Sequence, residues 1–203
     1  MIKSKLNSNL IIFLLFFCGC LISYLRASNF SDGDSYSVIL AFTNIIDGGS
    51  YTPSRGAYGH PIPEFLIGSF SYFFGTSISN VFCFSLFFFS IILLFKTFCK
   101  NESNLLLFIC LILSNFYLLF ENTNSIDYPI AIFFFSIGLY FLKKEKYLIS
   151  FVFLGMTIGS RANFLTFVYP SLIIFFYKEW IRLNFKNLLY SLIVVTIVGL
   201  FFY

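Results

Sequence analysis

Residues 65–95 read FLIGSFSYFFGTSISNVFCFSLFFFSIILLF, a run without one acidic or basic side chain. A helix that crosses a bilayer needs about 20 predominantly apolar residues, so this run is too long for one straight crossing. Gly75-Thr76-Ser77 divides it into a short first piece and a true span. Comparable apolar runs lie at 10–25, 105–120, 128–142, 147–160, 164–177 and 188–203. The chain of 203 residues is 59% hydrophobic and 11% charged, with 32 Phe and a mean hydropathy of +0.88. Ordinary globular domains carry about 25% charged residues. These numbers predict an all-α, polytopic transmembrane helix bundle of about seven spans, formed by a single membrane domain over residues 1–203. The net charge of +4 comes from lysines clustered between apolar runs. That is a topology signal and not a nucleic-acid signature.

Seven spans alternate cleanly when the N-terminus is cytoplasmic. Lys3, Lys5, Lys96, Lys100, Lys143, Lys144, Lys146, Lys178, Arg182 and Lys186 then share the cytoplasmic side, and Arg26, Arg55 and Arg161 the other. Ten against three is a strong positive-inside bias. It predicts a plasma (inner) membrane protein whose first loop is extracytoplasmic. Every outer cation is an arginine, the residue better suited to bidentate recognition of phosphate or carboxylate. The plain alternative is that each arginine snorkels at the interface. The first run ends in Cys18-Gly19-Cys20, which hints at a lipoprotein cleavage site, but Phe17 fits that site poorly and the run continues through Leu21-Ile22. An uncleaved first span is the expectation. The five cysteines lie in spans or at the cytoplasmic edge, have no zinc-type spacing, and read as small apolar residues.

The loop at 26–63 is RASNFSDGDSYSVILAFTNIIDGGSYTPSRGAYGHPIP, and it holds three of the nine acidic residues and the only histidine. Val38, Ala41, Phe42, Ile45 and Ile46 fall on one helical face, and Asp47-Gly48-Gly49 stops the pattern. The expectation is a short amphipathic helix lying in the interface. Asp32 and Asp34 sit at its N-terminus, where one carboxylate suffices to cap the helix and the other is free for function. Pro61 and Pro63 suit the first turn of a further helix, and Glu64 falls in that turn, where the dipole alone favours a carboxylate. His60, being alone, makes no metal site by itself. Two more polar points share this side of the membrane: Asp127, which precedes the fourth span and is placed to cap it, and Arg161 after the G-x-x-x-G step Gly155/Gly159. A convergent site is geometrically open to them.

The order of these residues resembles the GT-C class of integral membrane glycosyltransferases, above all family 39-type proteins such as protein mannosyltransferases and lipid A aminoarabinose transferases. The matching residues are Asp32-Gly33-Asp34-Ser35-Tyr36, Tyr51-Thr52-Pro53-Ser54-Arg55, Gly59-His60-Pro61, Glu64 and Ser125-Ile126-Asp127-Tyr128-Pro129. The resemblance implies transfer of a sugar from a polyprenyl-phosphate donor to a glycan, lipid or protein acceptor on the outer face, with inversion. It implies Asp34, or next Asp32, as general base and Arg55 and Arg161 on the donor phosphate. Glu64, His60, Asp127 and Tyr51 are implied as supporting residues. Some members use a divalent ion, so Mg or Mn is an open cofactor, with Glu64 and Asp127 as its ligands. The partners implied are the lipid-linked sugar, the acceptor and the bilayer, with no nucleic acid.

One departure stands out. Family members run to several hundred residues, so this chain is expected to be an N-terminal part of such an enzyme. The competing readings are a binding or transport component for a lipid-linked sugar, an O-antigen polymerase or ligase, and an inactive remnant. Transporters place ionisable groups at mid-membrane depth, whereas here every charge falls at a span end, which favours surface chemistry. Polymerases and ligases place their large loop late in the chain.

Overall fold

The computed structural model describes residues 2–26, 33–54, 59–99, 104–180 and 185–201. Asp32, Arg55, Lys100 and Arg182 lie outside the described residues, as do the side chains of Lys3, Lys5 and Lys178. The helices are α1 (Ile2–Arg26), α2 (Gly33–Ile46), α3 (Pro61–Phe74), α4 (Thr76–Phe98), α5 (Leu105–Leu113), α6 (Phe116–Asn122), α7 (Asp127–Lys143), α8 (Tyr147–Ser160), α9 (Leu165–Trp180) and α10 (Phe185–Phe201). A 3-10 turn, Ala162–Phe164, joins α8 to α9. No strand occurs among the described residues, so the expected all-α class is what the chain adopts.

Among the described residues two helices are long and apolar enough to cross a membrane: α1 over Ser8–Arg26 and α4 over Thr76–Phe98. A third crossing is added if α5 and α6 count as one broken span, but they meet at a bend of 83°. The run at 105–120, read from sequence as a single span, is therefore two short helices. The break has a local cause. The Asn115 side chain accepts from the backbone N–H of Leu118 at 3.1 Å, an N-cap that starts a new helix in the middle of an apolar run.

The break in 65–95 falls where the sequence places it. Gly75 adopts φ +86°, a backbone conformation that favours glycine. The chain folds back there: Ser79 Oγ donates to the Ile67 carbonyl at 3.4 Å, and the rings of Phe70 and Phe82 stack at 4.0 Å. In a continuous helix residues 12 apart would be separated by roughly 18 Å, so α3 and α4 form a hairpin. The amphipathic helix also forms, as α2, and stops at Ile46 with Gly48 at φ +83°. Val38 and Ala41 of its apolar face are buried. It packs on α3 by a close approach: a Cβ on Gly68 would stand 2.2 Å from the Cβ of Phe42.

The remaining helices build outward from α4. On one side α1 lies antiparallel to it, with Phe16 against Phe88 (5.1 Å between ring centroids) and Asn80 Nδ2 donating to the Ser23 carbonyl at 3.3 Å. On the other side come α7, α8 and α10. Small residues set these contacts: Ser150 Oγ donates to the Gly138 carbonyl at 2.8 Å, and Gly155 leaves room for Val198. Leu139, Leu142, Leu154, Val168, Leu172 and Val195 form the core there. The bundle has two unlike ends. At one, Lys143 Nζ donates to the carbonyls of Lys96 (3.2 Å) and Thr97, which end α4. Arg26, His60, Glu64, Asp127 and Arg161 occupy the helix ends opposite.

Candidate functional site

The polar end is built on two carboxylates that water does not reach. Glu64, in the first turn of α3, is fully buried. Its Oε1 accepts from the backbone N–H of Ser54 at 2.8 Å, from that of His60 at 2.9 Å, and from Ser54 Oγ; its Oε2 accepts from the Tyr51 hydroxyl. The bond from His60 satisfies an N–H at the helix start, as the dipole argument for Glu64 requires. The other three tie the 51–54 segment to α3. Gly59 fits between them: it has φ +66°, and a Cβ there would lie 2.6 Å from Glu64 Oε1 and 2.8 Å from the Tyr51 hydroxyl. Burial, and then the hydrogen bond and charge of Glu64, push the Tyr51 phenol up from its ordinary value.

Asp127, the first residue of α7, is also fully buried. Its Oδ2 accepts from Arg161 Nη1 at 2.5 Å and lies 3.8 Å from His60 Nε2. Arg161 follows the last residue of α8. Its Nη2 donates to the Tyr128 hydroxyl at 2.6 Å, and its guanidinium stacks over the Tyr128 ring at 3.5 Å from the centroid. Asp127 and Tyr128 thus hold one arginine by charge, hydrogen bond and π face together. Residues 122–125, all polar, are buried beside it, and Ser125 Oγ donates to Asn80 Oδ1 at 2.6 Å. The Asn122 Oδ1 and Ser160 Oγ atoms are buried without a hydrogen-bond partner among the described residues.

The structure therefore joins Tyr51, His60, Glu64, Asp127 and Arg161, which come from three separate segments. Asp34 stands exposed in the first turn of α2. Asp32 and Arg55 lie outside the described residues. Ser54 and Tyr128 carry no role in the sequence reading, although both fall inside the quoted motifs. Arg26 does not simply snorkel: its guanidinium lies 3.6 Å from the Phe120 ring centroid and donates to Thr123 Oγ1 and the Phe120 carbonyl.

A divalent ion does not fit Glu64 and Asp127 as ligands. Both oxygens of Glu64 are occupied by N–H and O–H donors, and Asp127 Oδ2 by Arg161. Among the described residues no three His, Cys, Asp or Glu side chains come together as a metal site. No protein-family model, no curated protein and no solved structure matches this chain.

Proposed function

We propose that this chain is a polytopic protein of the plasma membrane with its polar end extracytoplasmic, crossing about seven times, and that it acts there as a glycosyltransferase on a polyprenyl-phosphate-linked sugar. The observation that carries the reading is the convergence of residues 51–54, 59–64, 122–128 and 160–161 on buried, hydrogen-bonded ionisable groups at one end of an otherwise apolar bundle. Polar and ionisable residues held inside a membrane protein are costly and mark function.

In this reading the Asp34 carboxylate takes the proton of the acceptor hydroxyl. The hydroxyl oxygen forms its bond to the anomeric carbon as the bond to the lipid-phosphate oxygen breaks, with inversion, and the phosphate leaves with the electron pair. An arginine meets the charge that develops there. Arg55 is the stronger candidate, because the Nη atoms of Arg161 are engaged by Asp127 and Tyr128. Arg161 orders the outer ends of α7 and α8, and the phosphate would meet its remaining N–H donors. Helix α2, packed on α3, supplies the scaffold for Asp34.

A second reading, a binding or transport component for the same lipid-linked sugar, is favoured by the complete burial of Glu64 and Asp127. It needs no base at Asp34.

Native mass spectrometry in mild detergent tests the proposal. Wild type is expected to retain a polyprenyl phosphate that Arg55→Ala loses, and wild type but not Asp34→Asn is expected to turn over the bound sugar. Bulk phospholipid bound equally by wild type and Arg55→Ala would remove the donor site. Donor bound and released unchanged by both wild type and Asp34→Asn would favour the carrier.

A further inference from the structure

The two sides of the bundle differ in length. Helix α4 has 23 residues, α7 has 17 and α8 has 14. At about 1.5 Å per residue these are roughly 34, 25 and 21 Å long, against a hydrocarbon core of about 30 Å. The lysine ends are level, because Lys143 is bonded to the last carbonyls of α4. The difference therefore appears at the polar end. There Ser125 meets Asn80, and the Cys83 side chain meets the backbone of Ile126. Both contacts lie one to two turns inside the start of α4 at Thr76, which is roughly 6–10 Å. The tip of the α3–α4 hairpin rises above the site as a rim and exposes Tyr72, Phe73 (68%) and Phe74.

We propose that this step thins the outer leaflet beside α7 and α8, so that the headgroup layer descends to Arg161 and Asp127 and a lipid-anchored ligand reaches the site sideways over the low edge. The partner of this surface is the bilayer itself. A leaflet of uniform thickness would cover the ends of α7 and α8 and leave the 122–128 segment and Arg161 at hydrocarbon depth. Thinning costs only fractions of a kcal/mol per Å of mismatch, far less than holding polar groups in hydrocarbon. The aromatic rim anchors the high side at the interface, where aromatic rings concentrate. The proposal rests on the membrane-spanning reading but on none of its sugar chemistry.

Depth-dependent fluorescence quenching tests it. Trp180, the only tryptophan, is replaced by Phe, and a single reporter is introduced as Phe73→Trp on the rim or Phe167→Trp in the first turn of α9, both exposed sites. The full chain is reconstituted with lipids brominated at successive acyl positions. Both reporters are expected to be quenched best by the shallowest bromines. Phe167→Trp quenched best by bromines about two helical turns deeper than Phe73→Trp would overturn the step while leaving the membrane reading intact. Quenching of neither reporter would overturn both. Thermal stability across phosphatidylcholines of increasing acyl length is a check that needs no substitution. It is expected to peak in thin bilayers, and a peak in thick ones contradicts the proposal.

Discussion

Asp127 and Arg161 show how much one pair of side chains decides. Asp127 is fully buried, and Arg161 reaches it from another helix end with a 2.5 Å bond. Removing one partner of a buried pair leaves the other charge uncompensated. Asp127→Asn is therefore expected to cost on the order of 3 kcal/mol, read as a lower midpoint in denaturant titration in detergent. An unchanged midpoint would mean that the pair holds nothing together. Tyr51 gives a prediction in pH. Its phenol titrates above its ordinary value because of burial and of Glu64, although at 37% exposure water tempers the effect. The proton is held more tightly in the folded chain than in the unfolded one. The associated stability is present below about pH 10, the unfolded value, and is lost as pH rises toward the folded value. Tyr51→Phe should remove one phenol from the high-pH end of the phenolate absorbance titration, and a loss from its low-pH end instead would contradict the raised value. Much of this site was visible as residue types: His60, Glu64, Asp127 and Arg161 stand out as rare ionisable groups in an apolar chain, and Tyr51 entered through the Tyr51-Thr52-Pro53-Ser54-Arg55 motif. Their partners did not, because Ser54 and Tyr128 differ from other serines and tyrosines only by what tertiary folding brings near them.

At the scale of elements, local chemistry explains which helix limits were legible. The limits of α8 coincide with the run read at 147–160, since lysines bound it on one side and Gly159-Ser160-Arg161 on the other. The Gly75 break was legible because glycine marks a turn. The 83° break between α5 and α6 was not, because Ser114-Asn115 interrupts an apolar run without Gly or Pro, and an asparagine cap is a weak signal when no polar segment precedes it. The pairing of α2 with α3 was equally hidden: the apolar face of α2 was plain, but what covers it is a close approach at Gly68. Gly68→Ala is expected to force the two helices apart and cost about 1–3 kcal/mol, as overpacking does. Gly33→Ala, where nothing among the described residues lies within 4 Å of the added Cβ, is the matched control and should be close to neutral. Equal effects of the two substitutions on thermal unfolding would mean that the α2–α3 contact is not close-packed.

The whole molecule is a bundle with two unlike ends, lysines at one and a buried polar cluster at the other. Composition made the helical class evident, since so few charges cannot cover a soluble fold. The two ends were legible in part, because Lys96, Lys143, Lys144 and Lys146 fall between other runs than Arg26 and Arg161 do. The meeting of the three polar segments was not, since residues 64, 127 and 161 are brought together only by the packing of α3, α7 and α8. The central claim is that the two ends face opposite sides of a membrane with the polar cluster outside. Ser50→Cys, in the exposed segment after α2, and Lys144→Cys, exposed at the lysine end, report on it directly in a chain whose five native cysteines are replaced by alanine. With a membrane-impermeant maleimide on intact cells, Ser50→Cys is predicted to label from outside and Lys144→Cys only after permeabilisation. Labelling of both from outside, or of Lys144→Cys alone, would contradict the account.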